Sequence, residues 1–185
     1  MMRTWFFAMI IATSVIGAPV VAQTDRDEVD IVEISKSGDW TIYRTIRGDP
    51  ECGVISRPER TVNTKDGQVV DVRRGEILLA VTVLPSGRYR QLVSFQGGYP
   101  FAADSVVKMT IGSRSFVLFP GTDGPGREWA WPEENGDQEL IEALKSGRDA
   151  VITGTSSRGT TTKDTFSLLG ITSGLAAAES CAANL

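Results

Sequence analysis

The chain has 185 residues, 19 of them glycine, a formal net charge of −4 and no histidine. Without imidazole it has no route to Ser-His-Asp or Cys-His catalysis, and it lacks the usual ligand of zinc sites. An acidic chain with only scattered arginines is a poor partner for nucleic acid, and no basic amphipathic helix suits an anionic membrane surface.

In chain order, residues 1–22 (MMRTWFFAMIIATSVIGAPVVA) join one positive charge, Arg3, to an apolar run from Trp5 to Ile16 and then small residues. That pattern reads as a secretory signal peptide, with the mature chain starting near Gln23. The apolar run is shorter than the roughly 20 residues that span a bilayer, and no cysteine follows it to carry lipid, so no transmembrane or lipid anchor is expected. Export places the protein in the periplasm or outside the cell, and loss of Arg3 makes the mature charge −5. Residues 23–37 read as a flexible acidic segment. Its DRDEVD (25–30) lacks the glycine and terminal glutamate of a calcium loop.

From 38 to 185 the chain reads as one domain. DWTIYRTI (39–46), CGVIS (52–56), ILLAVTV (77–83), RQLVSF (90–95), SVVKMTI (105–111), SFVLF (115–119), AVITG (150–154) and TTTKDTFSLL (160–169) are expected strands. Turn signals such as KDG, PSG, GGYP, GTDGPG and SRG separate them. ILLAVTV is apolar almost throughout, as in a strand buried on both faces. GDQELIEALKSG (136–147) reads as a helix with Asp137 at its N-cap and Gly147 at its end, and ITSGLAAAES (171–180) as a second helix. The expected architecture is mainly β: a β-sandwich-like single domain with two short helices, one of them C-terminal.

In an exported chain the two cysteines, Cys52 and Cys181, allow a single intramolecular disulfide. It closes a loop of about 130 residues, for which chain entropy gives roughly 5 kcal/mol as an upper figure. No C-x-x-C spacing supports a redox pair.

No phosphate loop or dinucleotide fingerprint is present, and GITSG (170–174) has its serine off-centre for a nucleophile elbow. No cofactor is expected. The best candidate surface is PGTDGPGREWAWPEENGDQ (120–138). On a strand, Trp129 and Trp131 face one side together. Exposed, they offer a stacking platform for a sugar or peptide, with Arg127, Glu128, Glu133 and Glu134 as polar edges; buried, they are core aromatics. Both readings stay open, as they do for Tyr99 and Phe101 in GGYPF.

SGDWTIY followed by a cysteine strand, SVVKMTIGSRSFVLF, the 137–146 helix and FSLLGITSGLAAA, in that order, resemble the invasion-associated locus B family of exported bacterial proteins. The resemblance implies a periplasmic or outer-membrane-associated protein without established enzyme activity, partnered by a protein or envelope component. Many members carry a close cysteine pair after the strand at 115–119, which this chain lacks. A non-enzymatic interaction protein is therefore the first expectation. The alternative is a glycan-binding or glycan-active module using the Trp129/Trp131 loop and paired carboxylates such as Glu128 with Glu133 or Glu134.

Overall fold

A computed structural model describes residues 31–46, 48–85 and 91–185. The expected signal peptide and residues 23–30 lie outside these segments. Among the described residues twelve antiparallel strands form one sheet: β1 (Ile31–Ser37), β2 (Trp40–Thr45), β3 (Cys52–Ser56), β4 (Arg60–Lys65), β5 (Gln68–Val69), β6 (Leu78–Val83), β7 (Gln91–Gln96), β8 (Val107–Ile111), β9 (Arg114–Pro120), β10 (Trp129–Pro132), β11 (Asp149–Thr155) and β12 (Thr161–Ser167). Helices α1 (Asp137–Ser146) and α2 (Ile171–Ala182) complete the domain. The spatial order is β1-β2-β3-β6-β7-β10-β9-β8-β11-β12-β4-β5.

Strand alternation sorts the side chains. Trp40 and Ile42, Cys52 and Val54, Leu79 and Val81, Val93 and Phe95, Val107 and Met109, Ala150 and Ile152, and Phe166 all enter one buried cluster. The run from Leu78 to Val83 is buried on both faces except at Thr82, as its unbroken apolar sequence predicts.

The sheet curls so that its two halves face each other. Phe95 on β7 and Phe166 on β12 lie five places apart in strand order, yet their rings meet edge to face at 6.1 Å. From the second strand in the order, the Trp40 indole N–H donates across the core to the carbonyl of Ser167 at 3.1 Å. These contacts make the single sheet sandwich-like, with inner faces about one side chain deep.

Helix α2 lies on β2 and β3. Its small residues allow close approach, with Gly174 against Val54 and Trp40. The helix is entered by a backbone crossing that glycine alone tolerates. Gly38, at φ 56°, and Gly170, at φ 95°, sit back to back. A Cβ on Gly38 would lie 2.3 Å from the Leu169 carbonyl oxygen, and one on Gly170 would lie 2.1 Å from that of Ser37. The N–H of Asp39 donates to the Leu169 carbonyl at 3.0 Å, tying the two turns together. At its far end α2 is fastened by the Cys52–Cys181 disulfide, with Cα atoms 6.0 Å apart, inside the usual span for such bridges.

Three local readings differ from expectation. Residues 31–37, assigned from sequence to a flexible acidic segment, form edge strand β1 against β2. Its side chains are almost all exposed, so no buried face marks it in the sequence. The polar run RTVNTK, not expected as a strand, is β4. It pairs with β12 on one side and turns through Asp66–Gly67 into β5 on the other. Asp137 is the first residue of α1 rather than its N-cap, which is Gly136. Its carboxylate instead accepts the N–H of Val93 on β7 at 2.7 Å. Partial burial raises its pKa, opposed by the hydrogen bonds from Val93 and from its own backbone.

Replacing Cys52 or Cys181 by Ser should cost about 2–4 kcal/mol, lowering the midpoint of thermal unfolding by roughly 4–16 °C in a domain of this size. Calorimetry on the oxidised parent and the variant checks this.

Candidate functional site

Antiparallel strands β9 and β10 carry the site on the outer face of the sheet. Ala130 points inward and is fully buried. Period-two alternation therefore turns its neighbours Trp129 and Trp131 outward. On β9 the same rule buries Leu118 and turns out Val117 and Phe119. Register places Trp131 directly opposite Phe119. Phe119 is 47% exposed, Val117 46% and Trp131 39%, and Trp129 is half-buried. The two indoles stack with centroids 6.5 Å apart and planes 20° from parallel. The result is a contiguous apolar platform on two strands.

The strand backbone is held firmly. The carbonyl of Glu128 accepts the N–H of Gly97 at 2.9 Å, the carbonyl of Arg127 accepts that of Phe101 at 2.9 Å, and the carbonyl of Trp129 accepts that of Gly121 at 3.0 Å. Arg127 and Glu128 end the short 3₁₀ turn Gly124–Glu128 that leads into β10. Glu133 and Glu134 lie beyond the other end, in the turn before α1, where the Glu133 carbonyl accepts the N–H of Gly136 at 2.8 Å. The tryptophans are thus brought together, and the acidic groups are not. With β10 between them, the Glu128 and Glu133 backbones stand about 16 Å apart at strand rise. Paired glycosidase carboxyls lie roughly 5–9.5 Å apart.

Val117 and Phe119 were missing from the sequence reading. The signal was present in SFVLF, where Phe116 and Leu118 alternate with Val117 and Phe119. A strand apolar on both faces leaves open which face meets solvent.

A second polar centre also escaped notice. Arg74, on the irregular segment between β5 and β6, makes a two-pronged ion pair with Asp164 of β12, both contacts at 2.7 Å. The side chains are 6% and 0% exposed. Nε and Nη2 also reach the Gly97 carbonyl at 3.0 and 2.7 Å, and Nη1 reaches the Asn63 Oδ1 at 3.4 Å. The guanidinium lies 4.9 Å from the Tyr99 ring centroid, and the Tyr99 hydroxyl shares a 2.6 Å hydrogen bond with Thr162. Burial raises the Tyr99 pKa; the Thr162 bond and Arg74 pull it down, and Asp164 adds to the rise. Phe101 of the same GGYPF turn is core, and Tyr99 packs on it at 5.1 Å.

The sequence pattern of the family described as Invasion associated locus B (IalB) protein matches residues 67–179, well over half of the chain. The chain belongs to the IalB family. A crystal structure of invasion associated protein B from Bartonella henselae superposes with a TM-score of 0.53 at 14% identity, over 80% of this chain and 96% of that one. At that identity the likeness establishes the shared fold. No curated protein matches in sequence. The IalB match spans β10, so the tryptophan platform lies within the family region. Among the described residues no helix is long and apolar enough to cross a membrane.

If the platform serves contact rather than stability, Trp131→Ala should cost less than about 1 kcal/mol. Trp40→Ala, which empties a fully buried core site, should cost about 3–5 kcal/mol. Denaturant unfolding of the two variants checks the contrast.

Proposed function

We propose that this IalB-family chain is an exported, non-enzymatic interaction protein of the cell envelope that docks a protein partner through the β9–β10 platform. The observation that carries the reading is the exposure of Trp131, Phe119 and Val117 together, with Trp129 behind them. Tryptophan dominates binding hot spots, and an apolar cluster rimmed by charged groups is the usual form of a protein contact. Arg127, Glu128, Glu133 and Glu134 provide that rim, with unlike charges at one end and two acidic residues at the other. Export is supported by the signal pattern at 1–22 and by the Cys52–Cys181 pairing, a bond favoured in oxidising compartments. The relative from Bartonella henselae is described as invasion associated, and contact with a host or envelope protein is the counterpart proposed for this chain.

The second reading is glycan binding, favoured by the stacked indoles. Val117 and Phe119 extend the patch across two strands, which suits a protein surface better than a sugar ring. The separation of Glu128 from Glu133 counts against glycoside hydrolysis.

The test uses mature protein in envelope extracts, with a cross-linker placed next to the platform at Thr122. A partner cross-linked by the parent and lost with Trp131→Ser/Phe119→Ser supports the reading. Equal cross-linking by parent and variant, or capture of polysaccharide alone, overturns it.

A further inference from the structure

A cleft of about 410 Å³ opens on the Arg74 side of the domain, between the segment that follows β5 and the turn joining β11 to β12. We propose that it is a binding site for a sugar-sized acid, a monosaccharide carrying a carboxylate such as a uronic acid.

The charges are arranged for it. Arg73 and Arg158 line the cleft, are exposed, and form no ion pair among the described residues. Arg74 also lines it, but its charge is answered by Asp164. Glu128 lines the same cleft. Two unpaired guanidiniums can take a carboxylate in two-pronged hydrogen bonds. Glu128 can accept hydrogen bonds from sugar hydroxyls, while repelling a second acidic group. Tyr99 and Pro100 add the apolar surface that the C–H face of a pyranose packs against, and the volume falls within the range of small-molecule pockets.

Both arginines ride on fixed backbone. The neighbour of Arg73 is locked by the Asp164 pair, and the N–H of Gly75 donates to the Gly98 carbonyl at 2.8 Å. Around Arg158, the N–H of Ser156 donates to the Thr160 carbonyl and that of Ser157 to the Pro100 carbonyl, both at 2.8 Å. The N–H of Thr160 donates to the Ser156 hydroxyl at 3.1 Å. The backbone is thus set before binding, and what a ligand must order is the two arginine side chains. The cleft shares Glu128 with the rim of the β9–β10 platform but uses none of its aromatic residues, and it stands without the platform.

Calorimetric titration of the mature, oxidised chain with galacturonic acid, glucose and inorganic phosphate tests the assignment. Galacturonic acid should bind at least ~10-fold more tightly than either glucose or phosphate, the equivalent of one charge-assisted hydrogen bond. The Arg73→Ala/Arg158→Ala variant should lose at least ~10-fold of that affinity while melting within about 2 °C of the parent, as surface changes do. Trp131→Ser should bind as the parent does. Absence of galacturonate binding, equal binding of glucose, or affinity unchanged in the double variant overturns the site. Phosphate binding as tight as galacturonate shows that the sugar ring contributes nothing and overturns the saccharide assignment.

Discussion

The Arg74–Asp164 pair is the constraint on which the arrangement turns. Asp164 points inward on β12, among Phe166 and Thr162, where an ionised carboxylate is tolerated only with a partner. Arg74 supplies it from a segment that has no strand of its own. The same guanidinium reaches the Gly97 carbonyl at the end of β7. One side chain therefore joins β12, in one half of the sheet, to the β7 end of the other half. Arg73, Tyr99 and Glu128 face the cleft that this junction creates. Such a pair contributes little net stability against a well-packed apolar substitute, but losing one member leaves a buried charge uncompensated. What it supplies is a fixed junction between β12 and the end of β7.

Closure also explains the separation of the two surfaces. With Ala130, Leu118 and Phe95 committed to the inner face, alternation leaves Trp129, Trp131, Val117 and Phe119 outside. The β9–β10 platform belongs to the outer face, whereas the arginine cleft belongs to the junction of the two halves. The disulfide and the Gly38–Gly170 crossing act elsewhere, holding α2 to β2 and β3 so that Trp40 and Val54 stay covered.

Much of this was legible in sequence where one face of an element is buried and the other is not. Strands β2, β3, β6, β8, β11 and β12 and both helices show apolar spacing with turn residues between, and two cysteines leave one intramolecular pairing. Elements stabilised at the sheet edge were invisible for the converse reason: β1 and β4–β5 bury few apolar side chains, and their hydrogen bonds to neighbours leave no mark on composition. Asp137 was misplaced because capping is a local rule, whereas Val93 is a partner 44 positions away. The cleft was missed because DVRRGE and SSRG lie more than 80 positions apart, so their arginines read as scattered. The Arg74–Asp164 pair, 90 positions apart, likewise has no local signature.

The most direct measurement is a double-mutant cycle on Arg74→Met and Asp164→Leu, read by equilibrium unfolding of the oxidised protein. Each single substitution should cost about 3–5 kcal/mol by stranding a buried charge, and the double variant should cost much less than their sum, with a coupling of at least ~1.5 kcal/mol. Additive effects within about 0.5 kcal/mol would contradict the account, because the two groups would then not depend on each other.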